Sequence, residues 1–382
     1  MSLIYLDNAA TTLIKPESVA TAVFEAINTL GNPGRGAYDA SLEASRVMLD
    51  TRQLLARLFG VEDHPERVTF TMNSTESLNT AIRGTLEKGD TVITTVLEHN
   101  SVLRPLYRTV GEDNMIILDC DDKGMVWPED FRAALEGTDK KVKAIVCTHA
   151  SNVTGNVLDI KEIGRLAREY GALFIVDASQ TAGCVPVDAN DADILCFTGH
   201  KSLFGPQGTG GMYVREGLEI EPLKTGGSGV QSYLKTAPAE MPAHLEAGTQ
   251  NAHSIAGLRE GVKFILSEGI DKVYEHDSNL AETFCAEVGD ITGIRFYGDL
   301  SLTERAPVIG LSIDGVDSGM LTFALAEEYD VSTRTGAHCA PLMHEALGTQ
   351  EDGLVRFSFS YLNTIEEVRE AAAALRNVYN QF

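Results

Sequence analysis

From about residue 65 to 215, short β-branched runs alternate with segments whose apolar positions recur every three or four residues. That is the pattern of a mainly parallel sheet covered by helices, an α/β arrangement. Arg-Val-Thr-Phe-Thr (67–71) predicts a strand. Asn73 stands three residues before Glu76 as a capping box, and Leu78, Ala81, Ile82 and Leu86 follow on one helical face. A further strand over 91–96 runs into a loop carrying His99. Another, over 144–149, precedes a helix with Ile160, Ile163, Leu166, Ala167 and Tyr170 on one face, and Gly171 stops it just before Leu-Phe-Ile-Val-Asp (173–177). A run over 193–201 closes on Lys201. The stretch 222–255 is punctuated by Gly and Pro and reads as loop.

From about 256 the pattern changes to a long helix and then short strands, such as 306–313, mixed with helices. This predicts a smaller α+β unit, which the first dozen residues join because their strand-like Leu3-Ile4-Tyr5 is isolated from the large sheet. The expected division is a large domain over 13–255 and a small one over 1–12 and 256–382.

Charge narrows the functions available. Of the 382 residues, 55 are acidic and 31 basic, a formal charge of -24 that repels nucleic acid phosphates and anionic membranes. The first residues lack a basic region followed by a long apolar core, and no apolar run approaches about 18 residues. A cytoplasmic protein is expected. The six cysteines include no Cys-x-x-Cys pair, so neither a dithiol nor a zinc site is expected, and Cys147 and Cys196 fall inside strand-like runs as buried small hydrophobes.

His99, Asn152, Asp177 and Lys201 all fall at or just past strand ends, where open α/β sheets place their ligands. A lysine and an aspartate that end two apolar strands suit pyridoxal phosphate: the amine forms the Schiff base, and the carboxylate keeps the pyridine nitrogen protonated. Asp177 alone could equally be a metal ligand or a helix cap, and Lys201 alone a solvated strand end. Asn73-Ser74-Thr75-Glu76 opens a helix straight after a strand, so its free N–H groups and the hydroxyls of Ser74 and Thr75 can bind a phosphate or serve as an ordinary cap. Thr198 and His200 could hold the same phosphate, and Gln180 can reach a group beside the one Asp177 contacts. The Gly-rich run 204–211 demands a tight backbone but is no dinucleotide loop.

In 354–361 strict alternation puts Phe357, Phe359 and Tyr361 on one face and Arg356 on the other, where its fork could grip an α-carboxylate or form a salt bridge. Cys339 lies in a Gly-interrupted segment too short for regular structure. A loop thiol beside His338 can reach its thiolate form, although an incidental cysteine fits the residues as well. A His338/Cys339/His344 metal site matches no strong zinc spacing, and none is expected.

Tyr-Leu-Asp-Asn-Ala-Ala-Thr-Thr (5–12), Ser-Thr-Glu (74–76), Glu-His-Asn (98–100), Ser-Asn-Val-Thr-Gly (151–155), Asp-Ala-Ser-Gln (177–180), Gly-His-Lys (199–201), Glu-Ala-Gly-Thr-Gln-Asn (246–251) and Arg-Thr-Gly-Ala-His-Cys (334–339) occur in this order. Together they resemble the class V aminotransferase fold, and within it the short-loop branch of the cysteine desulfurases, which also contains selenocysteine lyases. The resemblance implies the type I fold of pyridoxal phosphate-dependent transferases and a homodimer. It implies Lys201 as the Schiff-base lysine, His99 stacked on the ring, Asp177 at the ring nitrogen, and Gln180 and Asn152 near the ring hydroxyl. Thr75, Thr198 and His200 would hold the phosphate, Thr249 would reach the other subunit's cofactor, and Arg356 would bind the substrate carboxylate. Cys339 would carry sulfur from L-cysteine as a persulfide, leaving L-alanine, for an acceptor protein in iron–sulfur cluster assembly, tRNA thiolation or another pathway. Ala337 replaces a histidine common in that branch. A selenocysteine lyase, another β-elimination or transamination, and a cofactor-binding sulfur-relay protein with little turnover are the alternatives.

Overall fold

The computed structural model describes residues 3–34 and 36–381. Met1, Ser2 and Phe382 of the expected small domain, and Arg35 of the large one, lie outside the described residues. The chain opens with β1 (Ile4–Tyr5), α1 (Glu17–Thr29) and α2 (Asp39–Leu58). It continues through β2 (Val68–Thr71), α3 (Ser74–Thr85), β3 (Thr91–Thr95), α4 (Asn100–Thr109) and β4 (Met115–Leu118). Next come α5 (Pro128–Glu136), β5 (Val142–Thr148), α6 (Ile160–Tyr170), β6 (Leu173–Asp177), β7 (Ile194–Thr198) and β8 (Gly210–Val214). No helix or strand occurs between β8 and α7 (Ala252–Glu268), so the expected loop is there. Then follow α8 (Ile270–Val288), β9 (Ile294–Tyr297), β10 (Val308–Ile313), α9 (Ser318–Tyr329), β11 (Val331–Ser332), β12 (Arg334–Gly336), α10 (Pro341–Ala346), β13 (Leu354–Ser358) and α11 (Ile365–Tyr379).

Seven strands form one sheet in the order β2-β8-β7-β6-β5-β3-β4, in which only β8 runs antiparallel to its neighbours. Alternate side chains of β6 and β7 enter opposite layers: Phe174, Val176, Leu195 and Phe197 face one core, Ile175, Ile194 and Cys196 the other. Burial on both faces explains why these strands read as continuous apolar runs. The capping box expected at Asn73 is half made, since the Glu76 carboxylate accepts from the Met72 amide at 2.6 Å and not from that of Asn73. Asn73 accepts from the amide of Glu76, Asp159 from that of Glu162, and Gly171 ends α6 at φ +67°, a conformation that disfavours a Cβ.

A second sheet, β12-β13-β10-β9, is antiparallel throughout, and β1 pairs in parallel with β11 beside it. Ile4, Leu6, Phe284, Leu311, Phe357 and Leu375 share the core of this smaller layer. Helix α7 buries Ile255, Leu258, Val262 and Ile265 in the large core, to which Ala340, Met343 and Leu354 also contribute. Three local expectations are corrected. The strand expected to reach Lys201 stops at Thr198, because the Gly199 and Lys201 carbonyls accept from the Gly205 and Phe204 amides at 2.7 and 2.9 Å and close a turn. Tyr361 does not share the face of Phe357 and Phe359: β13 ends at Ser358, and the Tyr361 ring packs on Phe264 and His276. Residues 334–336, expected to be irregular, pair with β13 as β12.

Candidate active site

The carboxyl ends of β2, β3, β5, β6 and β7 converge on a cavity of about 200 Å3 lined by Ser74, Thr75, His99, Asn152, Asp177, Gln180, Thr198, His200 and Lys201. Asp177 is only 4 % exposed, and its Oδ1 accepts from the Ser74 hydroxyl at 3.2 Å, the Ser179 amide at 3.0 Å and the Ser179 hydroxyl. Its Oδ2 has no protein partner among the described residues. The Lys201 amine likewise makes no hydrogen bond there, and burial pushes its pKa down to about 8 against the pull of Asp177. An amine held near neutrality is poised to act as a nucleophile.

His99 caps α4. Its Nδ1 accepts from the Ser101 amide at 3.0 Å, which leaves the proton on Nε2, and burial lowers its pKa, helped by Lys201 and Arg356 and opposed by Asp177. The Ser101 hydroxyl sits 2.9 Å from His99 Nδ1 and 2.7 Å from the Thr75 hydroxyl, so the first turns of α3 and α4 brace each other. His200 contacts the Thr11 hydroxyl at 3.1 Å and is pushed down to about 4, by burial first and then by Lys201 and Lys15. Gln180 donates to the Ala9 carbonyl at 3.3 Å.

Arg356 lies just outside this cavity, 2 % exposed. Its guanidinium donates to Asp7 Oδ1 at 2.9 Å and to the Asn152 carbonyl at 3.1 Å. Its Nε, Asn152 Oδ1 and Thr198 Oγ1 are buried without a partner. Three buried orphans and an unpaired amine around one polar cavity fit a bound polar group, since each unpaired buried donor or acceptor costs about 1 to 3 kcal/mol. The Asn73 end of α3 lies against Gly210, where a Cβ would come within 2.7 Å of the Asn73 Cα, so β8 packs tightly against this edge of the cavity.

Cys339 is exposed, and its carbonyl accepts from the Asn100 amide, next to the cavity-lining His99, at 2.8 Å. The carbonyl of His338 accepts from Asn152 Nδ2 at 2.7 Å. The imidazole of His338, however, is buried and pushed down to about 3, so it does not supply the cationic neighbour expected for the thiol. Thr249 stands apart from the cavity, in a second depression with Met72, Glu76 and Lys224.

Sequence reasoning passed over three residues that shape the site. Asp7 lay within a quoted motif but received no role. Ser101, two residues past His99, is marked only by its place in a helix's first turn. Glu98 is fully buried, accepts from the Thr95 hydroxyl at 2.7 Å and the Thr148 amide at 3.1 Å, and is pushed up to about 8, chiefly by burial.

Comparison with known proteins now has a geometry to explain. The model of the family described as aminotransferase class V matches residues 4–370. The chain belongs to the class V aminotransferase family. Among its relatives, a protein of Methanothermobacter thermautotrophicus named "Probable cysteine desulfurase" is 33 % identical, over 98 % of this chain and 94 % of that one. A "Cysteine desulfurase" of Haloferax volcanii is 31 % identical, over 98 % and 88 %. Among solved structures, an apo cysteine desulfurase from Thermococcus onnurineus NA1 superimposes with a TM-score of 0.90 at 29 % identity, covering 100 % of this chain and 95 % of that one. The cysteine desulfurase CsdA of Escherichia coli gives 0.87 at 26 %, covering 100 % and 95 %. The class V fold accounts for the mainly parallel large sheet and for the convergence of its strand ends. No helix among the described residues is long and apolar enough to cross a membrane.

Proposed function

We propose that this class V chain is a pyridoxal phosphate-dependent cysteine desulfurase: L-cysteine and the Cys339 thiol give L-alanine and a Cys339 persulfide. Atoms balance, because the sulfur leaves the substrate for Cys339 while the substrate β-carbon gains a proton. The observation that carries this reading is Cys339 itself, an exposed thiol whose backbone is tied to Asn100, next to the cavity-lining His99. The names of the relatives support it.

When bound, the cofactor supplies an electron sink for the substrate's α-carbon. Lys201 would hold it covalently and then carry the α-proton. Asp177 Oδ2 would face the ring nitrogen, His99 would lie against the ring, and Gln180 and Asn152 would meet the ring hydroxyl. Thr75, Thr198, His200 and the amides of α3 around Ser74 would take the phosphate. Arg356 would grip the substrate carboxylate and orient its sulfur toward Cys339. Thr249, away from its own chain's cavity and beside the 62 % exposed Met72, would complete the site of a second subunit in a homodimer. The acidic surface favours a basic sulfur-acceptor protein.

Incubating the cofactor-loaded protein with L-cysteine and measuring alanine and sulfide tests the reading. Alanine should form with wild type and not with Lys201→Ala, and Cys339→Ala should lose the persulfide and most alanine. Full turnover by Cys339→Ala would instead favour a selenocysteine lyase or another elimination on the same residues.

A further inference from the structure

The Cys339 turn is held from behind as well as from the cavity side. His338 and Cys339 take φ values of +48° and +57°, left-handed conformations in which a side chain bearing a Cβ costs about 1 to 3 kcal/mol unless its surroundings impose them. His338 points inward and meets His344 of α10 edge to edge, with ring centroids 5.4 Å apart and planes inclined by 11°. Its Nδ1 lies 3.2 Å from His344 Nε2. The proton positions follow from the outer partners. His338 Nε2 is 3.2 Å from the Arg334 carbonyl, which can only accept, so Nε2 carries the proton and Nδ1 is bare. His344 must then donate through Nε2, and its Nδ1 accepts from the Thr349 hydroxyl at 2.7 Å. Thr349, His344, His338 and Arg334 thus form a chain with one acceptor for every donor. Both rings are neutral, since burial pushes His338 down to about 3 and lowers His344 too. The chain ends on a backbone carbonyl of β12 and not at the sulfur, so it delivers no proton to Cys339. Its role is to hold position.

We propose that His344, acting through His338, is the positioning residue that fixes the Cys339 turn over the cavity. Its effect on turnover rests on the desulfurase reading; its effect on the turn does not. With the pair intact, the carbonyls of His338 and Cys339 stay aimed at Asn152 Nδ2 and the Asn100 amide. Without His344, His338 Nδ1 loses its donor in a buried site and the turn relaxes toward right-handed backbone, which withdraws the thiol but leaves Lys201 and Arg356 in place.

The test compares His344→Phe, His344→Gln and Thr349→Val in the cofactor-loaded protein. His344→Phe keeps an aromatic ring and removes both nitrogens: kcat for alanine should fall about tenfold while KM for L-cysteine moves by less than about twofold and the cofactor's absorption band is retained. Amide exchange over 334–341 should rise about tenfold. His344→Gln, which can accept from Thr349 and donate to His338, should restore most of both losses. Side-chain nitrogen NMR of the wild type should show neutral Nε2–H tautomers for both histidines. Wild-type exchange over 334–341 in His344→Phe, or a charged or Nδ1–H ring at either position, would overturn the proposal. Should His344→Phe fail to fold, Thr349→Val decides, with exchange over the same segment expected to rise about threefold and an unchanged rate counting against it. If wild type makes no alanine, the desulfurase reading fails, and the exchange and tautomer results still judge the positioning role.

Discussion

Arg356 and Asp7, 349 residues apart in sequence, meet at 2.9 Å between the first segment of the chain and the last strand. A buried guanidinium with one carboxylate partner, one carbonyl partner and a free Nε is oriented and still has capacity for a second anion. Lysine has three donors on one compact ammonium but no planar fork, so it cannot hold Asp7, the Asn152 carbonyl and a second carboxylate in the same geometry. Arg356→Lys should therefore raise KM for L-cysteine about tenfold or more and leave the cofactor's absorption intact, because charge-assisted bidentate bonds of this kind contribute roughly 1.5 to 3 kcal/mol. An unchanged KM in steady-state kinetics would remove Arg356 from substrate binding.

Thr198 offers opposite signs in the two forms of the protein. Its hydroxyl is buried without a partner. In the cofactor-free protein Thr198→Val should gain about 1 kcal/mol of stability by removing that orphan, whereas cofactor affinity should drop about tenfold for the loss of a phosphate partner. Calorimetry of the cofactor-free variant and an absorbance titration with pyridoxal phosphate read the two effects separately. A destabilised variant with unaltered affinity would make Thr198 purely structural.

Glu98 should imprint its titration on stability. Its folded pKa is raised to about 8 from an ordinary 4.5, so the folded chain holds a proton that the unfolded chain has released. Stability from this group is complete below pH 4.5, falls as pH rises from there to 8, and is lost beyond. Glu98→Gln cannot ionise and should flatten that slope, gaining roughly 4 kcal/mol over wild type by pH 8 in urea denaturation. Parallel curves for the two proteins across this range would contradict the assignment.

Much of this site is legible in residue types. The runs ending near Asp177 and Thr198 are apolar on every position because both sheet faces are covered, and caps such as Asn73 and Asp159 mark where helices start. What escapes is contact without periodicity. Nothing local ties Asp7 to Arg356, Asn100 to the Cys339 carbonyl, or His338 to His344. Glu98 reads as an ordinary polar residue at a strand end, and only the chain closing over it reveals a buried acid. His338 shows the converse, since adjacency to Cys339 in sequence suggested help for the thiol that its inward-turned ring does not give.

Subunit mixing tests the placement of Thr249. If Thr249 serves the neighbouring cavity, a heterodimer of Lys201→Ala and Thr249→Asp subunits holds one site with both defects and one with neither. Two inactive proteins should then regain about a quarter of wild-type activity when co-expressed at equal levels, and about half in the isolated heterodimer. No recovery in an isolated heterodimer would mean that Thr249 acts within its own chain, and an active Thr249→Asp homodimer would mean that it serves neither site.

The opening segment also sets a timetable for synthesis. Asn8 donates to the Ser358 carbonyl across 350 residues, the Ala9 amide to the Ser358 hydroxyl, and the Thr12 amide to the His200 carbonyl. At about 5 to 20 residues per second, residues 5–12 wait roughly 20 to 70 s between leaving the ribosome and meeting their last partner. Until then neither Arg356 nor Asp7 has its counter-charge, so a nascent chain can shape the Lys201 end of the cavity but cannot orient the guanidinium, and that buried pair arrives only with the final strand.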